Sequence, residues 1–275
     1  MTAARNIALL ALIGCASGLP DPSPMVRKPG PAASPCGEVP RLHRLTIAPD
    51  GPRDFDRAQA VFARARARSQ LGNHPQALPL YEEAVRLDPT FGFAHLGLAR
   101  SQLLMGSDRD AMLGHAATAT ALLPDNPRAH HLLAKVLDER GATRPARTHL
   151  LCALELRPSL HEARADLAVL QLDAEAYAEA GSTLEELIRR QGSEVQTQVL
   201  LARAYAGMKR WADAGQAMEA AARQAGRNAV LLRRAAQLYE QGGLEQRAAT
   251  VRMRADAIDP PPENRNLRPL RPSRR

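Results

Sequence analysis

The sequence predicts an all-α protein, an α-solenoid of about six helix-turn-helix units. Its composition is the first reason, because only 3% of the 275 residues are aromatic while 45% are apolar, a balance typical of helices packed through small side chains. The second reason is a repeat of about 34 residues in which alanine occupies two fixed places. The third is the glycine or proline that follows most of the predicted helices, where the chain must turn.

The chain divides into four predicted segments. Residues 1–15 form an apolar leader, and residues 16–57 form a tether that is rich in Pro and Gly and lacks a helical period. Residues 58–260 carry the repeats. Residues 261–275 have too few apolar groups to offset the entropy of ordering them, so we expect a flexible basic tail.

Six units fit the helical body. Their ranges are 58–91, 92–126, 127–160, 161–194, 195–228 and 229–260. The eighth place of the units holds Ala65, Ala99, Ala134, Ala168, Ala202 and Ala236. The twentieth place holds Ala77, Ala111, Ala146, Ala180, Ala214 and Ala248. The second unit has one extra residue, which we expect after its second alanine, near residues 120–126.

Small residues at fixed places indicate that each unit is a pair of antiparallel helices. Two helix axes approach to about 8–10 Å only where the facing side chains are small. Four glycines lie between the two predicted helices of their units, where a left-handed turn residue is favoured. They are Gly72, Gly106, Gly141 and Gly243.

This spacing resembles the tetratricopeptide repeat, whose pattern has a small residue at the eighth place, alanine at the twentieth, an aromatic or aliphatic residue four places on and a terminal proline. The resemblance covers residues 58–260 and implies a right-handed solenoid stabilised by contacts between neighbouring units. The last unit still has apolar Val251, Ala255 and Ile258 on its second helix. We therefore expect either a partly exposed seam at this end or a partner or the tail covering it.

The resemblance also implies that the first helices of the units line a concave groove in which peptides bind. Four cations stand at the ninth place of their units, namely Arg66, Arg100, Lys135 and Arg203. Because guanidinium groups bind carboxylates through two hydrogen bonds, these residues are a candidate ladder for an acidic peptide or a terminal carboxylate. The alternative is an arginine-rich protein that solvates its helices, since the asparagines of the carboxylate clamp found in some relatives are absent from these places.

A second candidate feature of the groove is apolar. It comprises Phe62, Phe93, Leu96, Leu103 and Leu104 in the first two units. These side chains are either a hydrophobic docking patch for a partner or simple packing between neighbouring helices.

No motif for catalysis, phosphate binding or zinc binding is found in the sequence. We therefore predict no enzyme activity, catalytic residue, cofactor, metal site or small-molecule substrate. The adjacent His130 and His131 point about 100° apart on a helix, so they cannot both face one metal. The net charge of +8 comes without a DNA-binding motif or a concentrated cationic face outside the tail, so we expect no nucleic-acid binding.

Two of the three cysteines lie beyond the leader. We expect Cys152, on the second helix of the third unit, to be a small buried or half-buried filler and not a ligand. If the protein is exported, Cys152 could form a disulfide with Cys36 in the tether. The two cysteines are 116 residues apart, and a flexible tether gives no geometric support for this pairing. The sequence leaves this question open.

Cys15 ends a leader that has one basic residue, Arg5, and an apolar run over residues 7–13 that is too short to span a bilayer. The run fits a secretory leader. Residues 12–15, Leu-Ile-Gly-Cys, resemble the bacterial lipoprotein box, which implies a lipidated Cys15 as the first mature residue. The following Ala16, rather than an aspartate, favours the outer membrane.

These observations together predict a lipid-anchored scaffold that binds a protein or peptide partner through its groove, with an acidic partner as one candidate. We expect it in the cell envelope, at the outer membrane and facing the periplasm, where similar tetratricopeptide lipoproteins include the pilotins that assist type IV pilus secretins and components of outer-membrane assembly machines. Two alternatives remain open: a cytoplasmic adaptor, if translation starts at Met25, and a binder of an anionic envelope polymer.

Overall fold

The computed structural model describes residues 36, 54–106 and 109–260, all within the compact unit Ala33–Arg275. The predicted leader, most of the tether and the basic tail lie outside the described residues. Residues 54–106 and 109–260 form twelve helices and no strand. The helices are α1 (Phe55–Gln70), α2 (His74–Leu87), α3 (Gly92–Met105), α4 (Arg109–Leu122), α5 (Pro127–Glu139), α6 (Thr143–Leu156), α7 (His161–Asp173), α8 (Tyr177–Gln191), α9 (Val195–Gly207), α10 (Trp211–Gln224), α11 (Ala229–Gln241) and α12 (Glu245–Ile258).

Neighbouring helices pack in the order in which they occur along the chain. Each helix contacts the next one, and the first helices of the first five units also contact each other, α1 with α3, α3 with α5, α5 with α7 and α7 with α9. The predicted all-α solenoid of six helix pairs, from α1–α2 to α11–α12, is therefore confirmed.

The turns within the units have the predicted left-handed residue. Four of them have glycine with φ between 63° and 75°, namely Gly72, Gly106, Gly141 and Gly243. In the fourth and fifth units Glu175 and Lys209 stand at this place with φ of 57° and 59°. A side chain at such a φ is unfavourable, so the packing of the flanking helices must hold these two turns in place.

The alanines of the eighth place form the centre of the core, and all six are buried as predicted. At the twentieth place five of the six alanines are buried: Ala77, Ala146, Ala180, Ala214 and Ala248. The exception is Ala111, which is exposed, while the adjacent Met112 is 2% exposed and belongs to the core. The prediction that Ala111 lies at the helix interface was wrong.

The error comes from the position of the extra residue in the second unit. Helix α3 starts at Gly92 and α4 starts at Arg109. The number of residues between these two starts is one larger than between the starts of the two helices in the third unit. Gly106 keeps the place that Gly72 has in the first unit. The extra residue therefore lies between Gly106 and Arg109 rather than near residues 120–126, and it shifts the buried face of α4 by one residue.

Glycines in helices allow tyrosine rings to lie directly on a neighbouring backbone. A Cβ atom at Gly97 would overlap the ring of Tyr81, and one at Gly215 would overlap the ring of Tyr239. Tyr81 and Tyr239 are 4% and 0% exposed. The Tyr239 hydroxyl also donates a hydrogen bond of 2.7 Å to Glu219 Oε1. These contacts join α2 to α3 and α10 to α11, that is, one unit to the next.

The two ends of the helical body differ from the prediction in detail. Helix α1 begins at Phe55, before residue 58, and the Asp54 side chain caps it by accepting from the backbone N–H of Arg57 at 3.1 Å. At the other end Val251 and Ala255 are buried in the α11–α12 pair, whereas Ile258 is 42% exposed. Of the three apolar residues expected to form an exposed surface at this end, only Ile258 is exposed.

Cys152 lies on α6 and is fully buried, as expected, but it is not an unpaired filler. It forms a disulfide with Cys36, with the two Cα atoms 4.7 Å apart. The sequence offered no geometric support for this pairing because a tether without fixed contacts was expected, whereas residue 36 lies against the outer helix of the third unit. The disulfide closes a loop of 116 residues across the first three units.

Candidate functional site

Arg66 and Arg100 occupy matching places on α1 and α3, which contact each other, and both side chains are exposed. Burial raises the pKa of the Tyr81 hydroxyl, while a hydrogen bond to Ser69 and the charges of Arg100 and Arg66 act in the opposite direction. Both guanidinium groups therefore interact electrostatically with the Tyr81 hydroxyl. Neither has an ion-pair partner among residues 54–106 and 109–260.

The other two members of the predicted ladder are paired with carboxylates of α7. Lys135 Nζ lies 3.7 Å from Asp166 Oδ2, and Arg203 donates a hydrogen bond of 2.9 Å to Asp173 Oδ1. His131 also lies 2.7 Å from Asp166 through its Nε2 atom. Burial alone would raise the pKa of Asp166, but the His131 contact and the Lys135 charge outweigh it and lower this pKa. The ladder is thus divided into two unpaired cations followed by two neutralised ones.

All four phenylalanines of the chain cluster at the first two units. The ring centroids of Phe55 and Phe62 lie 5.6 and 5.0 Å from that of Phe91, and Phe93 lies 6.5 Å from it. Phe62 also packs 5.8 Å from the Tyr81 ring. Edge-on aromatic contacts of this kind stabilise packing beyond the area that they bury.

The predicted apolar patch divides into buried and exposed members. Phe62, Leu96 and Leu103 are half-buried and pack against the core clusters. Phe93 and Leu104 are 45% and 58% exposed. A spacing of 11 residues places these two on one face of α3, with Arg100 between them. Packing therefore explains three of the five residues, and two remain available to a partner.

The first two units thus offer a surface that we name the N-terminal groove: Arg66, Arg100, Phe93 and Leu104. Its two cations carry no countercharge from the described part of the chain, and its apolar groups are exposed to solvent. Such a surface can bind a carboxylate and an aliphatic or aromatic side chain at the same time, with the charge-assisted hydrogen bonds giving orientation.

Two histidine pairs in the second and third units were not predicted from the sequence. In the second unit the Nδ1 atoms of His95 and His115 lie 3.1 Å apart, and in the third unit those of His130 and His149 lie 3.0 Å apart. Burial lowers the pKa of all four side chains. The signal was present in the sequence, because His95 and His130 hold the same place in successive units.

Within residues 36, 54–106 and 109–260 no three His, Cys, Asp or Glu side chains are arranged to hold a metal ion. None of the helices described is both long enough and apolar enough to cross a membrane. His130 contacts His149 while the adjacent His131 contacts Asp166, so the two neighbouring rings face different partners.

The first unit also matches a known family in sequence. The model of the family described as the tetratricopeptide repeat matches residues 58–91, the range predicted for the first unit. Together with the stacked helix pairs, this match decides the fold. The helical body has the fold of a tetratricopeptide-repeat solenoid. No curated protein matches the chain in sequence.

Solved structures with the same fold support this assignment of the tetratricopeptide-repeat solenoid. The chain is similar to pilF from Pseudomonas aeruginosa, with 21% identity and a TM-score of 0.59 over 78% of this chain and 97% of that one. It is similar to a tetratricopeptide repeat protein from Parabacteroides merdae, with 16% identity and a TM-score of 0.58 over 75% and 81%. YrrB, described as a tetratricopeptide protein with an unusual peptide-binding site, has 17% identity and a TM-score of 0.56 over 66% and 97%. At these identities the likeness concerns the fold alone.

Proposed function

We propose that this protein is a non-catalytic adaptor of the bacterial cell envelope that binds an acidic, partly apolar segment of a partner protein in its N-terminal groove. Tetratricopeptide-repeat domains bind protein or peptide partners. The observation that carries the proposal is the pair of exposed, unpaired cations, Arg66 and Arg100, beside the exposed Phe93 and Leu104.

The distribution of charge along the groove supports this location. In the middle of the groove Asp166 and Asp173 already neutralise Lys135 and Arg203. A partner carboxylate would have to displace an existing ion pair there, whereas at Arg66 and Arg100 it would gain a new one. An acidic ligand is therefore expected to prefer the first two units over the third and fifth.

The envelope location rests on two features of the chain. Residues 12–15 resemble a lipoprotein box, in which Cys15 would be the lipidated residue. The disulfide between Cys36 and Cys152 supports export, because disulfides persist in oxidising compartments and are rare in the cytosol. It also argues against the alternative of a cytoplasmic adaptor starting at Met25. A lipid anchor on Cys15 would hold the solenoid at the membrane, and Ala16 favours the outer membrane.

Binding of a defined acidic peptide tests the groove. A fluorescent peptide of alternating glutamate and leucine should bind the full chain, and changing Arg66 and Arg100 together to serine should weaken its binding at the N-terminal groove by about tenfold or more. The matched control changes Lys135 and Arg203 to serine and should have a smaller effect, because those cations are already paired. Equal losses for the two double variants would contradict the proposal.

Two further peptides distinguish a protein partner from an anionic polymer. If a glutamate and serine peptide binds as tightly as the glutamate and leucine peptide, the apolar residues contribute nothing, and an anionic polymer becomes the better ligand. A lysine and leucine peptide should not bind. Strong weakening of the binding of the glutamate and leucine peptide by salt would also favour an anionic polymer as the ligand. It would show that electrostatic attraction is the main interaction.

The envelope location is tested by the intact mass of the protein from its native membrane fraction. We expect a chain that starts at Cys15 and carries acyl groups, and we expect the Cys15→Ser protein to lose them. An unmodified soluble chain that starts near Met25 would contradict the location and leave the groove proposal standing.

A further inference from the structure

A second cationic surface lies at the opposite end of the helical body, in the last two units. It is a cavity of about 480 Å³ between the end of α10, the start of α11 and the end of α12. Its lining consists of Ala222, Arg223, Arg227, Leu232, Arg254, Ala257 and Ile258. The lining shares no residue with the N-terminal groove, and the described residues that form it include three arginines and no acidic residue.

The charges of this cavity are only partly compensated. Arg254 donates a hydrogen bond of 2.8 Å to Glu219, which also lies 3.8 Å from Arg247 and accepts from Tyr239. No carboxylate in residues 54–106 or 109–260 forms an ion pair with Arg223 or Arg227. The rim therefore keeps two cations that an incoming anion could pair with.

The floor of the cavity is apolar. Leu232 and Ala222 are buried, while Ala257 is exposed and Ile258 is 42% exposed at the entrance. Burying such methyl groups under an aliphatic side chain would add a favourable hydrophobic contribution. The cavity thus matches a ligand that presents an aliphatic group next to negative charge.

The turn that carries Arg227 is held in one conformation. Arg227 has φ of 64° and donates its backbone N–H to Ala222 O at 2.9 Å. The next residue, Asn228, caps α11 by accepting from the N–H groups of Val230 and Leu231 at 3.0 and 3.2 Å. A side chain at this φ is unfavourable, and glycine would fit without cost. The arginine is therefore kept at the cavity by a rigid backbone.

We infer that this cavity binds a segment of a partner protein in which an aliphatic side chain lies beside at least two carboxylates. The alternative occupants have the wrong charge. The tail over residues 261–275 carries five arginines against Glu263, and the same surface of a second copy is itself cationic, so both would be repelled. The inference does not depend on the N-terminal groove.

The number of binding sites for the glutamate and leucine peptide tests the inference by titration calorimetry on the full chain. Changing Arg227 to glycine removes one rim cation without straining the backbone, so the protein should stay folded and melt at the same or a higher temperature. We expect this variant to lose one class of site, with binding there weakened by about tenfold or more. Changing Arg66 and Arg100 to serine should leave this class intact.

The matched control is Lys209→Gly, which makes the same backbone change at φ of 59° and also removes one cation, but outside the cavity lining. It should bind the peptide as the unchanged protein does. Arg223→Gln provides a second variant at the rim and should weaken the same class of site. Identical titrations for the Arg227→Gly and Lys209→Gly proteins, or no binding that depends on Arg227, would overturn the inference.

Discussion

The imidazole rings of His130 and His149 face each other inside the third unit, with their Nδ1 atoms 3.0 Å apart. His130 Nε2 lies 2.8 Å from the carbonyl oxygen of Pro124, and a carbonyl can only accept, so this nitrogen carries the hydrogen. The Nδ1 of a neutral His130 then accepts a hydrogen bond that His149 Nδ1–H donates. His95 and His115 repeat the arrangement in the second unit, with Pro89 as the carbonyl.

The histidine pairs predict a loss of stability in mild acid. Burial, and then the charge of His130, lowers the pKa of His149 to about 4, whereas the unfolded chain titrates near 6.5. Below pH 6.5 the unfolded state therefore binds more protons, and stability falls as the pH falls towards 4. For His149 alone we expect a loss of about 2 kcal/mol between pH 7 and pH 5, measured by urea unfolding.

The His149→Gln protein is the comparison for this experiment, because carboxylates elsewhere contribute equally to both proteins. Its stability should depend less on pH over the same interval, even if it is less stable at pH 7. A pH dependence that is the same in both proteins would show that His149 is not neutral in the folded state.

The disulfide predicts a second effect on stability. It closes a long loop between Cys36 and Cys152, so removing it increases the entropy of the unfolded chain. We expect Cys36→Ser to lower the free energy of unfolding by about 2–4 kcal/mol under oxidising conditions. Adding a reductant should have this effect on the unchanged protein and none on the variant. Equal stability of the two proteins without reductant would contradict the prediction.

A third prediction concerns the close approach of Tyr81 to Gly97. A methyl group at residue 97 would overlap the buried ring, so we expect Gly97→Ala to destabilise the protein by about 1–3 kcal/mol in urea unfolding. Gly114, on α4, is exposed, and a methyl group there would meet only open space. Gly114→Ala should stabilise the protein by about 0.5–1 kcal/mol, and an equal effect of the two substitutions would contradict the packing described.

The fold could be predicted from the sequence because each repeat has the same residue types at the same places. Buried alanines at two places and glycines with positive φ between helices both followed from spacing alone. The exception at Ala111 shows the limit of such reasoning. In an alanine-rich chain one extra residue leaves several alignments nearly equivalent, and only the burial of Met112 shows which face of α4 packs.

The site was harder to predict because it depends on contacts between units. The ninth place of the repeat located Arg66, Arg100, Lys135 and Arg203 without revealing that two of them have partners about 30 residues away along the chain. Asp166 and Asp173 reach these cations only because the units stack. The pairing of Cys36 with Cys152 likewise has no local signal, since the two residues are 116 positions apart.

The central claim is that the first two units hold the partner. A photoreactive amino acid in place of Phe93, introduced into the full chain in its native cells, tests this claim most directly. We expect cross-links to one acidic segment of a partner, identified by the sequence of the linked peptide, and we expect them to vanish when Arg66 and Arg100 are serine. Cross-links from Ala165 on α7 but none from Phe93, or cross-links unaffected by the two serines, would contradict the account.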